Sequence, residues 1–366
     1  MSRLGRTILT RPTAFRFTSE AALGIVFVAF SLAGTGCSTA SYLFQAGKGQ
    51  FSLFNHERPI ADVIKDERTP TRIKLLLAEI PSIKKFGEEN GLKPTRNYQD
   101  YVQLDRNAAV YVVSACAPLK FESKEWGFPI VGKFPYLGYF DLPMAKENTA
   151  ELKKEGWDVD LRGARAYSTL GWFRDPVLST MIPEGDEAFG DLANVVIHES
   201  VHATLYIAGQ AYFNESLANF VAGRLAPVYI AEKKGADSPE LLAYDKSEKD
   251  SEIAEKLLFD AYGRLAKLYD SSIPDEEKLE EKKKIYTELQ TKLGWKRDIT
   301  NATLVQFKEY NEGTPAFDAV YKACGSDWKK FMKVLSELKP ESFAKSQQSD
   351  LDSILLPKAQ RCTELH

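Results

Sequence analysis

Apolar and polar positions follow three successive patterns along the chain. Residues 60–90 carry apolar side chains at helical spacing, with breaks expected at Pro70 and Pro81 and a helix start at Thr71 ahead of IKLLLAEI. Residues 107–180 change period. AAVYVVSA, PIVGKF, YLGYF and WDVDL are rich in β-branched and aromatic residues and are separated by Gly, Pro and Asp, the pattern of strands and turns. From about Gly185 to Pro340 the period is helical again, over 186–208, 215–232, 239–268, 275–293 and 315–338. The Lys- and Glu-dense stretch 245–284 suits solvated pairs four residues apart on long exposed helices, and no chemistry is assigned to it. Tyr42–Gln50 reads as a short spacer entering a helix, and the chain after Ser342 as a loosely held polar tail. Strands followed by helices, rather than alternating with them, predict an α+β protein.

The first 36 residues stand apart. Arg3, Arg6, Arg11 and Arg16 against the single acid Glu20 give them a charge of +3, and Ala21–Ala33 is an unbroken apolar run. This is a signal-peptide pattern, and the run is too short to span a bilayer. Gly34-Thr35-Gly36-Cys37 follows it and looks like a bacterial lipoprotein cleavage site, with Cys37 as the lipidated new N-terminus. Gly34 departs from the Leu usual there, and a plain secretory leader is the alternative. Ser38, where an Asp would resemble an inner-membrane retention signal, points to the periplasmic side of the outer membrane. The whole chain carries −3, which leaves −6 from Cys37 onward. A mildly acidic body argues against nucleic acid as a partner. An apolar share of 44% with 27% charged residues excludes bulk disorder and a polytopic membrane protein. The expected organisation is a signal peptide over 1–36, a helical segment over 37–106 and a catalytic core over 107–232. A helical region over 233–340 then covers the site, and 341–366 is a flexible tail.

Four cysteines are present: Cys37, Cys116, Cys324 and Cys362. With Cys37 lipidated, three remain in an oxidising compartment, of which Cys324 and Cys362 are candidates to pair. Cys116, in the apolar run VYVVSACAPL, reads as a buried and inert thiol. No CxxC occurs, so no thiolate zinc site is expected.

Two of the four histidines fall in one string, His198-Glu199-Ser200-Val201-His202. In the helix DEAFGDLANVVIHESVHATLYIAG, Val195, His198, His202 and Leu205 share one face at spacings of three and four. Imidazoles four residues apart on an apolar face can ligate one ion, expected to be Zn2+. Glu199, about 100° around the helix, is placed as a general base rather than a ligand. The extended form of the motif is absent, since Leu205 and Ala208 stand at its extra positions. A third ligand must therefore come from elsewhere. After Gly209-Gln210 ends the helix, Asn214 suits the cap of the next one, with Glu215 in its first turn able to return as the third ligand. Asn219, one turn further, is a candidate to hydrogen-bond a ligand histidine.

His-Glu-x-x-His followed by a helical Glu is the gluzincin arrangement. More narrowly, the chain resembles the predicted bacterial aminopeptidase family of zinc-dependent lipoproteins. The resemblance lies in GCSTASYLFQAGKGQ, WGFPIVGKFPYLGYF, AYSTLGWFRDPVLST, VVIHESVHATLYIAGQAYFNESLANFVAG and NATLVQFKEYNEGTPAFDAVYKACGSDW. Two positions depart from it: Gly127 replaces the usual Cys, and Arg174 replaces an acidic or amide residue. The resemblance implies a zincin-like metallopeptidase that hydrolyses peptide substrates, with a membrane anchor at Cys37. Glu199 would move the proton, and Tyr167 or Tyr310 would donate to the oxyanion. Tyr167–Phe173 would pair with substrate backbone as an edge strand. Glu184, Asp175 and Glu187 are the candidate acids for a free α-amine. An envelope endopeptidase and a non-catalytic scaffold with a structural zinc are the competing readings.

Overall fold

The computed structural model describes residues 37–128, 132–166, 174–311 and 314–363. The leader, including its apolar run, lies outside the described residues, as do Tyr167 and the expected edge strand Tyr167–Phe173. Among the described residues no helix is long and apolar enough to cross a membrane.

The architecture is mixed α+β. Helix α1 (Cys37–His56) leads into the short strand β1 (Arg58–Pro59), α2 (Ile60–Lys65) and α3 (Thr71–Glu89). Strand β2 (Asp100–Val102) lies between β1, antiparallel, and β8 (Val177–Leu178), parallel. The second sheet centres on β3 (Val110–Cys116), an almost wholly buried VYVVSAC flanked antiparallel by β6 (Tyr136–Tyr139) and β7 (Asp158–Ala164). A small hairpin joins β4 (Trp126–Phe128) to β5 (Gly132–Phe134). Helix α4 (Leu142–Lys154) starts where the Asp141 side chain accepts from the Met144 N–H, and it buries Ala145 and Leu152 in the core of that sheet.

The main core is helical. Helix α5 (Ala188–Thr204) buries Phe189, Leu192, Val196, Ile197 and Val201, and packs against α6 (Ala211–Lys234) through Phe213, Leu217 and Val221 of the latter. Long α7 (Pro239–Tyr269) and α8 (Asp275–Leu293) pair over a separate small core. Helix α9 (Asn301–Asn311) lies on β3 and β7. Helices α10 (Thr314–Ala323), α11 (Trp328–Leu335) and α12 (Asp352–Thr363) close the main core.

Four expectations are corrected. Pro81 does not break its helix. It sits inside α3, where full burial of Leu77, Ile80 and Ile83 outweighs one missing N–H. Tyr42–Gln50 is not a spacer but part of α1, anchored where Gln45 bonds Gly138 and Phe140 of the β-sheet region. The helix over 301–311 was not expected. The flexible tail is instead folded, because Leu351 and Leu355, four apart, are buried and Cys362 is bonded to Cys324. That disulfide joins the two cysteines that the sequence left as candidates to pair. Cys116 is buried and free, and burial pushes its thiol up to about 12.

Candidate metal centre

Helix α5 brings its two histidines to one face one turn apart, with ring centroids 4.8 Å apart and planes nearly perpendicular at 84°. Their Nε2 atoms lie 3.1 Å from each other. Glu215, in the second turn of α6, returns between them. Its Oε2 is 3.6 Å from His198 Nε2 and its Oε1 is 3.6 Å from His202 Nε2. A tetrahedral ion with bonds of about 2.0–2.1 Å spans ligand-to-ligand edges of about 3.3–3.4 Å. The observed triangle of 3.1, 3.6 and 3.6 Å has the size of one such face, and the three groups form a set that could hold a metal ion.

The electrostatics agree with a cation site. Burial raises the Glu215 carboxyl, but hydrogen bonds from His198 and His202 outweigh that and hold it well below the ordinary carboxylate range. Burial alone would lower His198, yet Glu215, Glu199 and a hydrogen bond to the Asn219 side chain reverse the sign and raise it. His202 is 8% exposed, and its Nδ1 has no partner.

Glu199 follows His198 on α5, and its buried Oε2 has no hydrogen-bond partner. Burial pushes its carboxyl upward; His198 and His202 oppose this, while Glu215 and Asp175 add to it. A buried carboxylate oxygen without a partner is costly, which is consistent with the upward push on this carboxyl.

The turn between the two helices is held differently from expectation. Helix α6 starts at Ala211, so Asn214 is not its cap and Glu215 is not in its first turn. Fully buried Asn214 clamps the turn instead, accepting from the Ile207 N–H at 2.9 Å and donating to the Ile207 carbonyl at 2.8 Å. The tail supplies a second clamp. Gln210 donates to the Lys345 carbonyl at 2.8 Å and accepts from the Gln348 N–H at 3.0 Å, while Gly209, at φ +76°, accepts from the Gln347 N–H at 2.8 Å. Residues expected to be loose therefore fix the turn that leads into the helix carrying Glu215. Gln210 is buried, so Gln210→Ala orphans two tail backbone groups. It should cost about 1–3 kcal/mol in urea unfolding of the metal-free protein.

Of the three candidate amine-binding acids, only Asp175 joins the centre. It is 3% exposed, and its charge acts on Glu199. Glu184 is exposed beside Arg72, and Glu187 precedes the first turn of α5. Sequence reasoning missed Tyr98 and Tyr206. Tyr98 is buried at φ +64°; its N–H donates to the Asp175 carbonyl at 2.7 Å, and burial plus the Glu199 and Asp175 charges push its phenol far up. Tyr206 sits at the rim, edge-on to His202 with ring centroids 6.3 Å apart, and its phenol is raised by burial and by Glu215. Near Asp175, burial and Asp100 push Glu57 up to about 7, against the pull of Arg174, the residue that departs from the resemblance. Tyr310 lies on α9, but its side chain is outside the described residues. Gly127 lies in β4.

A family model described as putative aminopeptidase matches residues 41–349, which contain every residue of this centre. No curated protein and no solved structure gives a match.

Proposed function

The chain belongs to the putative aminopeptidase family, and on that premise we propose that it is a zinc-dependent aminopeptidase of gluzincin type. The observation that carries this reading is the triangle of His198, His202 and Glu215 beside Glu199, whose buried Oε2 has no hydrogen-bond partner. Two imidazoles and one carboxylate are a donor set suited to zinc, and three ligands leave one tetrahedral position open. Bound there, the ion supplies a Lewis acid that polarises a scissile carbonyl and acidifies water.

The protein's own groups do the rest. Glu199 accepts the proton of the attacking water and delivers it to the leaving amine, a task that its raised carboxyl favours. Asn219 holds the His198 ring in place. Tyr206, at the rim, donates to the developing oxyanion. Asp175 presents a buried negative charge next to Glu199 and pairs with the α-ammonium of the substrate, which sets the register of cleavage one residue from the free end. The leader and Cys37 would carry the enzyme to the cell envelope and anchor it there by lipid.

The test is hydrolysis of a peptide with a free amine against the same peptide N-acetylated. The free peptide is expected to be cleaved at least about tenfold faster, the size of one charge-assisted hydrogen bond. Equal cleavage would make the protein an endopeptidase.

A further inference from the structure

Helix α1 has two unlike faces. The inward one is fixed to β6, the edge of its sheet. Gln45 Nε2 donates to the Gly138 carbonyl at 3.1 Å, and Gln45 Oε1 accepts from the Phe140 N–H at 3.1 Å. The Tyr42 hydroxyl accepts from the Gly138 N–H at 3.2 Å, and Leu53 is buried. Gly49 passes so close to the Phe140 ring that any side chain there would collide with it. The helix is therefore mounted on the sheet, with a fixed side turned outward.

That outward side carries large apolar groups. Phe44 is 73% exposed and Phe51 is 65% exposed. Seven residues are two helical turns, so the two positions lie in line, about 10.5 Å apart along the axis. Exposed Lys48 stands between them. Cys37 precedes Phe44 by the same seven residues, so the position read as lipid-bearing is in register with both. No linker separates the two features, because α1 begins at Cys37 itself. Single exposed apolar side chains are ordinary in proteins. Two phenylalanines in line with an acylated position lie where acyl chains entering a bilayer would bring them.

Charge selects the same face. Helix α1 holds no Asp or Glu, and its one charged side chain is Lys48, with histidine counted as neutral. From Cys37 onward the chain carries −6; subtracting the +1 of α1 leaves −7 on the residues after His56. An anionic lipid surface attracts Lys48 and repels the acidic remainder.

We propose that α1 lies along the bilayer surface, with Phe44 and Phe51 in the boundary between headgroups and acyl chains and Lys48 at the lipid phosphates, so that the anchored protein is held in one orientation. The proposal rests on the lipid-anchor reading above. A helix bound in this way buries its apolar face about 5–10 Å into that boundary.

The test uses the full chain, made with its own leader and reconstituted in vesicles of phosphatidylethanolamine and phosphatidylglycerol with acyl chains brominated near the headgroup. Phe44→Trp and Phe51→Trp report contact with lipid through quenching of the fluorescence they add to the unaltered protein. Phe259→Trp, at a phenylalanine of α7 that is 64% exposed, is the control. The emission added at positions 44 and 51 should fall at least about twofold, and that at 259 should not change. In the Phe51→Trp protein, adding Phe44→Ser and Lys48→Glu should remove most of the quenching while the anchor stays in place. Equal quenching at all three positions, or none at 44 and 51, overturns the proposal. Quenching at position 51 that survives Phe44→Ser and Lys48→Glu comes from the tether alone and overturns it as well. Shielding of positions 44 and 51 from aqueous iodide without vesicles, in a particle of dimer mass, assigns the face to a second copy and also overturns it. The mass of the N-terminal fragment judges the anchor separately. An unacylated Cys37 ends the anchor reading, and quenching at positions 44 and 51 then still decides whether the face binds lipid.

Discussion

Glu199→Gln is expected to lower kcat by about 10²–10⁴ while leaving zinc bound at the level of the unaltered protein. The substitution keeps the size of the side chain and removes only its ability to take a proton. Glu199 is not among the three groups that form the triangle, so metal affinity should not depend on it. The partition between kinetic parameters is informative. A lost base acts in the transition state, so kcat and kcat/KM should fall together with KM nearly constant. Steady-state kinetics alongside metal analysis checks both halves. Retained turnover would remove Glu199 from the chemistry, and lost metal would make it a ligand.

Glu215→Ala should remove the metal itself. The carboxylate is the only anionic member of the set and touches both imidazoles at 3.6 Å. Changing a group that merely orients a ligand costs about 10–100-fold in affinity, and Asn219→Ala supplies that comparison through its bond to His198. Loss of a direct ligand should exceed it, and hydrolysis should fall in proportion to bound zinc. A zinc titration of the metal-free variants, followed by competition with a chelator, ranks the three proteins. An affinity for Glu215→Ala within tenfold of the unaltered protein would take Glu215 out of the set.

What the sequence disclosed and what it hid divide along the range of the interactions. His198 and His202 are one turn apart on one helix, so their convergence is local geometry. Glu215 was reachable because a six-residue turn, 205–210, leaves the second helix little choice but to lie along the first. The reason given for its position was nevertheless wrong. Asn214 stabilises the turn by a two-way bond to Ile207, which no capping pattern describes. Tyr98 joins the site through a pairing of β2 with β8 across more than 70 residues, and nothing in the local pattern specifies that contact. Helix α9 was missed for a different reason. Its inward face carries Asn301, Thr303 and Gln306, which are buried against polar partners on β3 and β7. A helix with a polar buried face looks featureless to any reading based on apolar spacing. The tail was misjudged because a few anchors, Leu351, Leu355 and Cys362, fix a segment that is otherwise polar.

Anomalous diffraction at the zinc edge from crystals of the full chain tests the central claim most directly. The expected result is one peak per chain, about 2.0–2.2 Å from Nε2 of His198, Nε2 of His202 and a carboxylate oxygen of Glu215. A peak elsewhere, or a Glu215 side chain turned away from both rings in the zinc-loaded crystal, would contradict it.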